Sequence, residues 1–133
     1  MRKYLLPGLL AFCLIFILCS CRNKGEWDDI IKLSVKSVQF SSGADSAVIT
    51  TKGNWWWVDG VSVNGTNFLD FSDIDLESDN YTIREDCFTV KRSDAHTLFI
   101  KLEANPLSEK RIVNVWLEAG DYFDSVTITQ LAN

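Results

Sequence analysis

The sequence predicts an all-β fold, an antiparallel β-sandwich of about seven strands. Three observations carry this. From residue 31 onward, apolar residues recur mostly at every second position, the period of a strand with one buried face. Turn-forming combinations such as Asn64-Gly65, Asn105-Pro106 and Ala119-Gly120-Asp121 punctuate the chain at close intervals. No window holds an amphipathic helix of about ten residues or more.

Each element follows from its residues. Ile31, Leu33 and Val35 alternate with polar neighbours, and the phase then slips to Val38 and Phe40, which predicts a bulge near Ser37. Ser41 to Asp45 is a turn, and Ala47 to Thr51 is a β-branched strand. Lys52-Gly53-Asn54 breaks it. Trp55-Trp56-Trp57-Val58 follows, and Val61 and Val63 continue as far as the hairpin pair Asn64-Gly65. Residues 66–80 are acidic and less regular. Tyr81 to Ile83 and Phe88 to Val90 are short strands. Leu98, Ile100 and Leu102, then Val113, Val115 and Leu117, then Val126 and Ile128 form inward rows, with Thr127 and Thr129 outward. Short strands at this spacing in roughly 100 residues fit an immunoglobulin-like sandwich; a small β-barrel is the alternative.

Ahead of these strands lies a leader. Arg2 and Lys3 precede an apolar run of 14 residues, Leu5 to Leu18, broken only by Pro7 and Gly8. A membrane-spanning helix needs about 20 apolar residues, so the run reads as a secretory signal. Its end, Leu18-Cys19-Ser20-Cys21, resembles a bacterial lipobox. The resemblance implies cleavage after Ser20 and diacylation of Cys21 as the new N-terminus. Residues 1–20 are then a lipoprotein signal peptide, 21–31 the lipidated N-terminus and tether, and 32–133 the sandwich. The partner so implied is a membrane, reached through the N-terminal lipid. Similarity to Gram-negative lipoproteins adds a location. Arg22 is not the Asp that retains such proteins at the inner membrane, so the outer membrane or cell surface is expected. Lys24, Glu26, Asp28 and Asp29 loosely resemble the charged export stretch of Bacteroidetes lipoproteins, and a plain solvated tether explains them equally well.

Loss of Arg2 and Lys3 leaves 11 basic against 18 acidic residues, a net charge of −7. That sign excludes the basic footprint of a nucleic-acid binder. Of the four cysteines, Cys13 and Cys19 leave with the leader and Cys21 carries lipid. Cys87 alone remains. It makes no intramolecular disulfide, and it reads as a small buried hydrophobe.

Four features of residues 35–130 resemble the BACON domain, an immunoglobulin-like module of Bacteroidetes surface proteins. Ile49-Thr50-Thr51 followed after a turn by Trp55-Trp56-Trp57 is similar to its opening. Leu98 to Glu103, then Asn105 and Arg111, is similar to its alternating strand with a following Asn and Arg. Gly120 sits at its hairpin, and Val126-Thr127-Ile128-Thr129-Gln130 resembles its close. The resemblance implies a carbohydrate- or mucin-binding module, or a spacer beside glycan-active domains.

The three consecutive tryptophans are the foremost candidate site. Extended backbone puts Trp56 on the face of Val58 and leaves Trp55 and Trp57 on the other. Trp116 lies opposite the inward row of its own strand. Trp55, Trp57 and Trp116 are therefore the candidate carbohydrate-binding residues, because pyranose faces stack on indole. The competing reading buries these rings in the core or under the loop at 66–80. The acidic segment Asp70, Asp73, Asp75, Glu77 and Asp79 has hard oxygens for Ca²⁺ but lacks the Asp-x-Asp-x-Asp-Gly loop, and it reads better as a solvated edge. No metal and no cofactor is expected, since His96 is the single histidine and no cysteine pair survives. Enzyme chemistry is not expected either. There is no Gly-x-Ser-x-Gly elbow, Glu85 and Asp86 disfavour a Cys87 thiolate, and the carboxylates lack a recognisable cleft scaffold. The function expected is that of a membrane-anchored, non-catalytic glycan-binding module; the alternative is a structural spacer or assembly partner with no ligand of its own.

Overall fold

Most of the period-two alternation is realised as strands in a computed structural model that describes residues 28–133, whereas the alternating Ile31, Leu33 and Val35 give only an isolated bridge at Leu33. The leader, the lipid-attachment residue Cys21 and the tether up to residue 27 lie outside the described residues. Among the described residues there are nine strands: β1 (Ser37–Phe40), β2 (Asp45–Thr50), β3 (Trp57–Val63), β4 (Thr66–Phe68), β5 (Tyr81–Arg84), β6 (Phe88–Asp94), β7 (Thr97–Leu102), β8 (Arg111–Ala119) and β9 (Tyr122–Gln130). They form a five-stranded sheet in the order β1-β9-β8-β3-β4 and a four-stranded sheet in the order β2-β7-β6-β5.

The two sheets face each other across one apolar core. Leu98, Ile100 and Leu102 of β7 and Val90 of β6 are fully buried on the smaller sheet. Val113, Val115 and Leu117 of β8, Val126 and Ile128 of β9 and Val58 and Val61 of β3 are fully buried on the larger one. All eight residues expected inward on the last three alternating rows are there. Each such side chain stabilises the fold by about 1.5–3 kcal/mol relative to exposure. At one margin Phe68 meets Phe88 edge to face, with centroids 5.4 Å apart, so even the three-residue strand β4 is pinned to the core.

The strand count and pairing depart from the expected seven-stranded antiparallel plan. The described residues form nine strands, and β1 runs parallel to β9, Val38 opposite Ile128. The phase slip near Ser37 is not a bulge in one strand. Leu33 bridges to Thr51 beside the smaller sheet, and four residues later the chain has crossed to the edge of the larger one. A change of sheet shifts the inward parity just as a bulge does, which is why the local pattern cannot separate them. Core packing also begins upstream of residue 32, since Ile31 is fully buried. A bulge does occur in β3, where Asp59 is the extra residue between Val58 and Gly60.

The end of the sandwich marked by Arg111 and Gln130 is closed by buried polar side chains. Arg111 Nη1 donates to the Glu103 carbonyl (2.9 Å) and to Gln130 Oε1 (3.0 Å), and Gln130 Nε2 donates to the carbonyls of Gly43 (3.0 Å) and Glu103 (3.1 Å). Asn105 Nδ2 donates to the carbonyls of Glu109 (2.8 Å) and Leu131 (3.1 Å). These groups satisfy loop carbonyls that the sheets cannot reach. The Asn, Arg and Gln of the sequence pattern thus serve as structural ties.

Candidate functional site

The opposite end of the sandwich carries the tryptophans. Trp56 turns inward and is 1% exposed. Its indole N–H is shared between Thr51 Oγ1 and the Ala95 carbonyl, each at 3.0 Å. The guanidinium of Arg92 lies over the ring, 4.3 Å from the centroid. Arg92 follows Phe88 and Val90 on the inward row of β6, so its charge is carried inside the fold. It donates from Nη1 to the Ser78 carbonyl (3.2 Å) and from Nη2 to the Asn54 carbonyl (2.8 Å), and Nη2 lies 3.3 Å from Asp79 Oδ1. Its Nε is buried without an acceptor. The guanidinium therefore fastens both the acidic loop and the lead-in to β3 onto the core.

Trp57 lies opposite Glu118 on the outer face of the larger sheet and is half-buried. Its indole N–H donates to Glu118 Oε2 at 3.2 Å. Burial, and after it the neighbouring Asp59 carboxylate, hold the Glu118 carboxyl above its ordinary range, while the indole hydrogen bond pulls the other way. Trp116, also half-buried, sits on the same face opposite Gly60. A Cβ on Gly60 would fall 2.9 Å from Trp116 Cε3 and 2.6 Å from Leu69 Cδ2. The bare backbone lets the indole lie down on the strand with Leu69 beside it.

Trp55 is different. It precedes β3, meets Trp57 edge to face with centroids 5.8 Å apart, and is 64% exposed. Its ring edge rests on Gly120, where a Cβ would sit 3.2 Å from Cζ3 and 3.3 Å from Cη2. Gly120 also turns the β8–β9 hairpin with φ of +60°, so both the turn and the indole require glycine there. Two clefts share this indole as a wall. One, about 370 Å³, is lined by Trp55, Trp56, Trp57, Leu76, Glu77 and Arg92. The other, about 360 Å³, runs past Trp55 to Asp28, Ile30, Gly120, Asp121 and Tyr122. The far wall of the second is held in place by charge. Tyr122 O–H donates to Asp124 Oδ2 (3.2 Å), and Lys36 Nζ reaches the same oxygen at 2.8 Å. Burial, then contact with Asp29 and Asp124, push the Tyr122 phenol well above its usual range, so it stays a neutral donor.

Of the three tryptophans expected at a surface site, the structure brings Trp55 and Trp57 together and leaves Trp116 apart, lining neither cleft. The acidic segment makes turns: Asp70 Oδ1 accepts the Ser72 N–H and Asp75 Oδ1 accepts the Glu77 N–H, both at 3.1 Å. Among the described residues no three His, Cys, Asp or Glu side chains converge. Cys87 is half-buried against the core, and His96 lies in the β6–β7 turn with Nδ1 3.1 Å from the Thr51 carbonyl. A larger hollow of about 650 Å³ on the outer face of the smaller sheet is lined by Arg84, Lys101, Phe99 and the acids Glu85, Asp86 and Glu103. Its charges face one another, Lys101 pairing with Glu103 at 3.0 Å, and it offers no exposed indole. Sequence reasoning missed Arg92, Tyr122 and the contact of Gly120 with Trp55. Arg92 alone was signalled, by a cation on an inward parity.

No family model and no curated protein matches the chain. A solved structure is similar to it, the NMR structure of a protein from Bacteroides thetaiotaomicron. The TM-score is 0.67 at 19% identity, over 86% of this chain and 98% of that one. The likeness is one of fold. It places the chain among all-β domains of two packed sheets, with a counterpart in the Bacteroidetes.

Proposed function

We propose that this chain is a lipid-anchored envelope protein whose sandwich is a non-catalytic, BACON-like immunoglobulin module that binds glycans. The observation that carries the binding is Trp55: a large indole, mostly exposed, braced by Trp57 and Gly120 and flanked by two clefts. The exposed indole offers a flat apolar face that matches the apolar face of a pyranose, and its neighbours hold it in place for stacking. Asp28, Asp121 and Glu77 in the clefts are acceptors for sugar hydroxyls. Trp57 supports the platform, and Trp116, packed over Gly60 away from the clefts, is left out of it. The anchor is Cys21, and the location is the outer membrane or cell surface. No cofactor and no catalytic residue is assigned. The test is a glycan-array screen of the full-length protein in mild detergent. Binding to a defined set of glycans supports the proposal, and a blank array across plant and mucin glycans refutes it in favour of a spacer without a ligand.

A further inference from the structure

The charge around Trp55 says more about the ligand than the indole does. The charged side chains lining the two clefts are Asp28, Asp121, Glu77 and Arg92, the Tyr122 phenol being neutral. Three are carboxylates, and the three are exposed. The one cation is 2% exposed, stacked on Trp56, committed to two carbonyls and 3.3 Å from Asp79. Asp59 and Glu118 lie beside Trp57 as two further carboxyl groups; burial first, and then the Asp59 carboxylate, hold the Glu118 carboxyl above its ordinary range. Lys32 and Lys52 border an adjoining hollow that shares Asp28 and Ile30 with the second cleft, and neither lysine lines a cleft with Trp55.

We infer that the Trp55 site takes a neutral, hydroxyl-rich glycan chain laid across the indole from one cleft to the other, and turns away glycans bearing sulfate or carboxylate groups. This rests on the glycan-binding proposal above and specifies its ligand class. A sugar hydroxyl donates to a carboxylate in a strong, charge-assisted hydrogen bond. A sulfate or uronate in the same place meets three exposed carboxylates, while the nearby Lys36 ammonium is already paired with Asp124 at 2.8 Å, and like-charge juxtaposition weakens such a ligand. The two clefts that share this ring as a wall give room for sugar units beyond the stacked one, so more than a terminal sugar is recognised.

The experiment is native affinity electrophoresis of the full-length protein in mild detergent. The probes are the neutral polymers xylan, mixed-linkage β-glucan and galactomannan, and the anionic polymers polygalacturonate and chondroitin sulfate. Retention by at least one neutral polymer is expected, little changed between low and high salt, with every anionic polymer at least about tenfold weaker. The triple variant Asp28→Asn, Glu77→Gln, Asp121→Asn, whose sites are exposed, narrows that gap by weakening neutral binding. Trp55→Ala loses retention, and Trp55→Phe keeps part of it. Stronger retention by an anionic polymer than by any neutral one overturns the inference and leaves glycan binding standing. Retention by none of the five overturns both. Neutral retention that survives Trp55→Ala moves the site elsewhere and overturns the inference.

Discussion

Arg92→Ala tests how the candidate site is held. The guanidinium is almost fully buried and serves four groups at once. Its removal leaves the Asn54 and Ser78 carbonyls without their donor, at about 1–3 kcal/mol for each that stays buried. It also forfeits the stacking on Trp56, worth about 0.5–2 kcal/mol. Asp79 adds little, because its side chain is 65% exposed and rehydrates when the ion pair is lost. Together the loss is about 3–5 kcal/mol, a large share of the stability of a small domain. Arg92→Lys keeps the charge but not the planar fork that spans two carbonyls, so it recovers only part. Urea melts followed by tryptophan fluorescence measure the difference. Hydrogen exchange should meanwhile quicken across residues 69–80, whose tie at Ser78 and Asp79 is cut. A loss under about 0.5 kcal/mol for Arg92→Ala, with unchanged exchange in that loop, refutes the clamp.

Ile100→Ala should cost about 2–5 kcal/mol in the same melts, because Ile100 is fully buried, whereas Val48→Ala, at a position 64% exposed, should stay within about 0.5 kcal/mol. Glu118 has its folded pKa raised, so the native state binds that proton more tightly than the unfolded chain does. Stability through this group is present below the unfolded carboxylate pKa and is lost as pH rises through the folded value. Relative to the wild type, Glu118→Gln should therefore gain melting temperature as pH rises across the carboxylate range and then level off; a relative loss on that rise would contradict the assignment. Cys21→Ser should move the protein from the detergent phase to the aqueous phase in phase separation of expressing cells, and unchanged partitioning would rule out Cys21 as the anchor.

Legibility followed the range of the interactions. Val113, Val115 and Leu117 alternate within one strand, and their burial was plain from the residues alone. Asn64-Gly65 encodes its own turn, with φ of 48° and 84°. The crossing of residues 33–37 from one sheet to the other was not legible, because parity reports a slip without its cause. β4 is three residues long and is held by pairing to Val61–Val63 and by Phe88, both outside its own segment. The tryptophans divide in the same way. The inward turn of Trp56 follows from sharing a face with Val58. The exposure of Trp55, set against the packing of Trp116 with Leu69 over the backbone, depends on Gly120 in the β8–β9 turn and Gly60 in β3. Arg92 was readable as an inward cation, but its partner Trp56 was not, since the contact crosses between segments far apart in the chain.

The central claim is that Trp55 binds and Trp56 holds the fold. The most direct measurement sets Trp55→Ala beside Trp56→Ala in two assays, retention by the best neutral polysaccharide and urea stability. An indole hot spot is worth about 2 kcal/mol or more, so Trp55→Ala should weaken binding about thirtyfold with its melt unchanged. Trp56→Ala should lose about 3–5 kcal/mol of stability, as a buried aromatic with two hydrogen bonds to its N–H. Undiminished retention in Trp55→Ala, or a Trp55→Ala melt as damaged as that of Trp56→Ala, would contradict the account.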